Sequence, residues 1–123
     1  MKQAVVLFAH GARDPAWAGP VRRLAAAIAE TAPDVTVEVA FLELMEPRLD
    51  ETIDRLVARG AQRVRIVPVF LAEGGHLKRD VPVLIDAARE RHPGCEIVLV
   101  RAVGEDDGVI RAMAAYALAA SGG

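Results

Sequence analysis

Four short β-branched or apolar runs recur along the chain at intervals of about 30 residues. They are Ala4-Val-Val-Leu-Phe-Ala9, Val35-Thr-Val-Glu-Val-Ala-Phe41, Val64-Arg-Ile-Val-Pro-Val-Phe70 and Glu96-Ile-Val-Leu-Val100. Each has the length and chemistry of a strand. The first and last are apolar on both faces, as expected where helices cover both sides of a sheet. Pro68 inside the third run is a conflicting signal, because proline normally confines a strand to a sheet edge. Helical patterns fill the intervals. Residues 15–32 place Val21, Leu24, Ala25, Ile28 and Ala32 at helical spacing, and residues 47–59 do the same with Leu49, Ile53, Leu56 and Val57 before a stop at Gly60. Residues 81–91 predict a third helix with Asp80 as N-cap and Pro82 in its first turn. Residues 106–120 predict an Ala-rich fourth. Strict alternation of strand and helix implies an α/β fold built on a four-stranded parallel sheet with right-handed crossovers.

Composition narrows the class. At 123 residues the chain reads as one domain, residues 1–123. With 53% hydrophobic residues it can bury a core. The longest apolar run, Ala112 to Ala120, falls well short of the roughly 20 residues of a membrane helix. Met-Lys-Gln followed by a short apolar run does not read as a signal peptide. A net charge of −2 argues against bulk capture of nucleic acid. The single cysteine, Cys95, excludes an internal disulfide, an iron–sulfur ligand set and a Cys-based zinc site; it reads as a small core residue. The expectation is a cytoplasmic domain with neither membrane nor nucleic acid as partner.

Ligands of open parallel sheets bind beyond the carboxyl ends of the strands, where strand order reverses. Two of the three histidines follow strands, His10 after the first and His76 after the third. In a 2-1-3-4 order they face each other across the switch point, and Glu43, after the second strand, joins them. Two imidazoles and a carboxylate suit a divalent metal. They equally suit proton abstraction near pH 7. Gly74 and Gly75 before His76 permit unusual backbone angles or close approach of a ligand. Arg13, Lys78 and Arg79 are candidates for binding an anionic ligand. His92, at a helix end, is expected to face that helix's terminal carbonyls. Trp17 reads as a packing or dimer-contact residue. Dinucleotide, P-loop and Gly-x-Ser-x-Gly signatures are all absent, and the one serine is Ser121.

Three segments resemble a known family. His10-Gly11-Ala12-Arg13-Asp14-Pro15 resembles the His-Gly-Ser/Thr-Arg opening of the small class II tetrapyrrole chelatases, the sirohydrochlorin cobaltochelatase and ferrochelatase family. Ala40-Phe-Leu-Glu-Leu-Met-Glu-Pro47 and Phe70-Leu-Ala-Glu-Gly-Gly-His76-Leu-Lys-Arg-Asp80-Val-Pro82 look like its second and third motifs, in order and at the expected spacing. Ala12 stands where a hydroxyl residue is commoner, so a hydrogen bond from that hydroxyl is not carried over. There is no His-rich tail, and a metal-storage role is not implied.

The resemblance implies one chelatase lobe, a homodimer closing the cleft between two copies, and insertion of Co²⁺ or Fe²⁺ into sirohydrochlorin, in cobalamin or siroheme biosynthesis. His10 and His76 would handle metal and accept pyrrole protons, with Glu43 as third participant. Ni²⁺ suits the same ligands. No organic cofactor is needed; the metal is a substrate. Arg13, Lys78 and Arg79, with Gly74 and Gly75, would meet the substrate's carboxylates. Two other classes compete. A histidine phosphatase would carry arginine immediately before the histidine, where this chain has Ala9. A non-enzymatic metal or tetrapyrrole delivery module would hold its cargo tightly, and the chain lacks cysteine ligands for that.

Overall fold

The computed structural model describes residues 2–72 and 74–120, with the side chains of Lys2 and His76 outside the described set; Glu73 and Ser121 also lie outside it. Four strands, β1 (Lys2–Ala9), β2 (Thr36–Phe41), β3 (Ala61–Pro68) and β4 (Glu96–Leu99), alternate with α1 (Gly19–Thr31), α2 (Leu49–Ala58), α3 (Gly75–Arg91) and α4 (Asp107–Ala119). The sheet is parallel throughout, in the order β2-β1-β3-β4. This is the order that sets the first and third strand ends side by side.

Pairing explains why Pro68 is tolerated in an interior strand. Val69 N–H donates to Phe8 on the β1 side, and Ile66 C=O accepts from Val100 on the β4 side. Alternation therefore turns the amide position of residue 68 toward the β4 side, one rung past the Val100 to Ile66 bond, so the proline ends the β3–β4 ladder there and breaks no bond to β1.

The two faces of the sheet are covered unequally. On one, Val6, Phe8, Val64, Ile66 and Ile97 pack against Leu49, Ile53 and Leu56 of α2 and Leu77, Val81, Ile85 and Ala88 of α3. On the other, Leu7, Ala9 and Phe41 pack against Val21 of α1. No residue of α4 is buried. Val67, Val69, Val98 and Val100 consequently stay half-buried on the α1 side of β3 and β4.

α3 departs from its predicted bounds. It begins at Gly75, six residues early, so Asp80 lies inside the helix instead of capping it, and Pro82 sits in the interior. A proline there costs about 3 kcal/mol. Leu77 and Val81, four residues apart, are 8% and 1% exposed, and burying each such side chain contributes roughly 1.5–3 kcal/mol, which offsets the break.

His92 also departs from expectation: its ring meets α2, not the α3 carbonyls. Asp54 Oδ1 lies 2.6 Å from His92 Nε2 and accepts from Arg91 Nε at 3.2 Å and Nη2 at 3.1 Å. The His92 hydrogen bond, ahead of the Arg91 contacts, holds the Asp54 carboxyl below its ordinary value, against an opposing effect of burial. A depressed carboxylate stabilises the fold above its unfolded pKa and loses that contribution as pH falls through the lowered value. Asp54→Asn is expected to flatten the acid limb of stability below about pH 4. The carboxylate is half exposed, so at pH 7 the loss should stay near 1 kcal/mol, read by urea unfolding across pH.

Candidate active site

The candidate site sits on the carboxyl ends of β1 and β2. Pairing does not stop with the strands: Leu42 N–H donates to Ala9 at 2.9 Å and Glu43 N–H to His10 at 3.1 Å. These two bonds lock the loops together and carry the side chains of His10 and Glu43 to the same place. His10 Nε2 lies 2.9 Å from Glu43 Oε1, with both side chains about half exposed. A carboxylate only accepts, so this bond assigns the imidazole proton to Nε2 and leaves the lone pair on Nδ1. That is the carboxylate–histidine arrangement that fixes the tautomer and ring orientation of a metal-binding imidazole. The lone pair can take either a metal ion or a proton.

Two backbone features hold this pair. Gly11 has φ +99°, and a Cβ there would overlap the Glu43 carbonyl. Leu44 has φ +65°, in the left-handed region that a residue with a Cβ adopts at a cost of roughly 1–2 kcal/mol. In the sequence Gly11 stands within the motif that begins at His10, and neither Gly11 nor Leu44 has a role legible there. A glycine directly after a post-strand histidine was the available signal for Gly11; none existed for Leu44.

The remaining candidates, apart from Arg13, lie around the start of α3. His76 is placed by its backbone as the second residue of that helix. Among the described residues no third His, Cys, Asp or Glu completes a metal-ligand group with His10 and Glu43. Gly74 caps α3 with φ −72° and ψ 167°, angles open to any residue, and Gly75 starts the helix. Of the two uses open to these glycines, unusual backbone angles and close approach of a ligand, the first is not found, since a helix start needs only extended and then helical angles. Both have open space where a Cβ would stand. Lys78 and Arg79 are exposed in the first turns of α3, and Arg13 is exposed after β1. None of the three has an ion-pair partner among the described residues. Beside His10, an open apolar hollow of about 380 Å³ is lined by Ala9, Ala16, Trp17, Pro20, Val21 and Val69. Trp17 is 43% exposed there and tilts on Phe41 with ring centroids 6.5 Å apart. Among the described residues, no helix is long and apolar enough to cross a membrane.

Known proteins share both the sequence and this architecture. The CbiX family model matches residues 4–119. A sirohydrochlorin cobaltochelatase of Methanococcus aeolicus is 41% identical over 83 residues, 68% of this chain and 58% of the relative. A sirohydrochlorin ferrochelatase of Bacillus subtilis is 32% identical over 117 residues, 92% of this chain and 43% of the relative. The chain thus spans about half the length of these curated relatives. The crystal structure of a CbiX protein from Marinobacter aquaeolei, named for cobalamin (vitamin B12) biosynthesis, superposes with a TM-score of 0.82 at 31% identity and covers 94% of both chains. A match over nearly the whole length, with the same fold and the His10 and Glu43 loops inside it, places this chain in the CbiX family.

Proposed function

We propose that this protein inserts a divalent metal, Co²⁺ or Fe²⁺, into sirohydrochlorin, in cobalamin or siroheme biosynthesis. The observation that carries this is the His10–Glu43 hydrogen bond at the sheet's carboxyl edge, in a family whose curated relatives bear that activity. Insertion displaces two pyrrole N–H protons, so the site must present a cation loosely and then accept protons. Glu43 fixes the His10 tautomer, and His10 Nδ1 offers its lone pair to the metal or a proton. His76, across the switch point, is the second acceptor and metal ligand. A site of two histidines and a carboxylate releases its metal to the macrocycle, where a closed four-ligand site would trap it. Arg13, Lys78 and Arg79, together with the open space at Gly74 and Gly75, meet the carboxylates of the substrate. Ni²⁺ fits the same donors. The free Cys95 thiol agrees with work in the reducing cytoplasm.

The working unit in this reading is a homodimer. The hollows on the chain are open, and one lobe supplies one wall of a cleft for a macrocycle. α4 exposes Ile110, Met113, Tyr116 and Leu118, while the valines of β3 and β4 lack a covering helix. The α4 of a second copy fits that face. At about 1.5 Å per residue its 13 residues span about 20 Å. Two helices and two receiving grooves would bury on the order of 1,200–1,600 Å², the size of a standard specific interface.

Absorbance assays with purified protein, sirohydrochlorin and each metal in turn test the activity. Insertion faster than the spontaneous reaction is expected with Co²⁺ or Fe²⁺. Equality with the spontaneous rate for every metal would overturn the proposal, and stoichiometric metal kept through dialysis would then point to delivery. Light scattering should report twice the mass of one chain. Met113→Glu with Tyr116→Glu should halve that mass and cut the rate at least tenfold; a monomeric wild type at working concentration would remove the dimer from the reading.

A further inference from the structure

Gly104 has no role in the proposed chemistry, yet its backbone lies directly against the segment that leads into α3. β3–β4 pairing ends with Val100 N–H donating to Ile66. Beyond it the chain makes a tight 3-10 turn, Val103–Glu105, anchored by fully buried Ala102 and closed by Glu105 N–H to Ala102 and Asp106 N–H to Val103. From this turn Gly104 N–H donates to the Phe70 carbonyl at 2.9 Å. The two backbones are so close that a Cβ on Gly104 would overlap the carbonyl and Cα of Leu71. Main chain cannot swing aside as a side-chain tip can, so a larger residue must push the two segments apart. Phe70 is itself held, with its ring edge-on to Phe8 at 5.9 Å. The movable partner is therefore the segment after it. Leu71 is exposed, three residues before the α3 cap and five before His76.

We infer that Gly104 is a positioning residue of the site: its backbone seats the segment at Leu71 that leads into the Gly74 cap and the first turn of α3, where Gly75 and His76 stand. The same turn leads through the Asp106 cap, which accepts from Val109 N–H at 3.1 Å, into α4. The seat thus lies between α4, the helix proposed to pack on the second copy, and the segment that leads into the first turn of α3. The inference rests on the proposed chelatase reading for its activity readout, but the seating itself can be measured without it.

The test compares Gly104→Ala with Ile85→Val, a core variant chosen to lower the melting temperature without touching the site. In Gly104→Ala, hydrogen exchange of the residue 104 amide, which donates to the Phe70 carbonyl, should speed up at least tenfold, and kcat for Co²⁺ insertion should fall roughly 10- to 100-fold with KM for sirohydrochlorin within twofold. Ile85→Val should leave all three unchanged at temperatures matched for stability. If Gly104→Ala does not fold, Ala102→Gly loosens the same turn without a clash and should show the same pattern at smaller size. Unchanged exchange of the residue 104 amide, or equal losses in the two stability-matched variants, would overturn the inference. An inactive wild type would remove the chelatase reading while leaving the exchange result to decide the seating.

Discussion

Replacing His10 by alanine is expected to lower kcat for metal insertion by roughly 10²- to 10³-fold, the usual worth of a positioned acid–base group. The fold should be little affected, because the ring is half exposed and its side-chain bond is a surface one to Glu43. Surface changes of that kind usually move stability by no more than about 0.5 kcal/mol. Glu43→Gln should behave differently. An amide lacks the negative charge and can donate as well as accept, so it no longer assigns the imidazole proton to Nε2. Changes to such orienting partners typically cost about 10- to 100-fold. Initial rates of Co²⁺ insertion at saturating sirohydrochlorin separate these cases. Wild-type rates in His10→Ala would take His10 out of the path of both metal and proton. Equal losses in His10→Ala and Glu43→Gln would mean that the two act as one unit.

The His10–Glu43 pair was legible in the sequence because everything needed to build it is local or topological. Alternating apolar runs imply a parallel sheet, and the switch-point rule then turns attention to post-strand residues. The start of α3 was not legible. Asp80 and Pro82 carry strong local start signals, while the features that extend the helix to Gly75 are the burial of Leu77 and Val81 against the sheet. Burial of that kind is a property of the tertiary structure, and single-residue propensities do not contain it. The Ala-rich segment expected as a helix over 106–120 is one, Asp107–Ala119, but periodicity cannot report that none of its residues is buried. Gly74 and Gly75 drew attention as a pair and adopt ordinary angles. The consequential glycines, Gly11 and Gly104, matter because of main chain 32 and 33 residues away in sequence, at Glu43 and Leu71. Contacts over such separations leave no local signature.

Gly11→Ala should therefore disable the site while leaving His10 and Glu43 chemically intact. Two effects combine at this position. An alanine at φ +99° pays a backbone strain of about 1–3 kcal/mol. Its Cβ also overlaps the Glu43 carbonyl, which is main chain and can yield only by moving the loop after β2. That movement opens the Glu43 N–H to His10 bond and the 2.9 Å side-chain pair with it. Displacement of reacting groups by about 1 Å costs on the order of 10²-fold in rate. Gly60→Ala separates the two effects. Gly60 has φ +95° but nothing within 4 Å of an added Cβ, and it lies at the far end of the sheet, just before β3. It should lose stability through the backbone alone and keep its kcat. Thermal melts and insertion rates on both variants decide the point: a stability loss shared by the two with a rate loss confined to Gly11→Ala is the expected result. Equal kcat in the two would mean that the close seat on Glu43 serves folding and does not hold His10 in place.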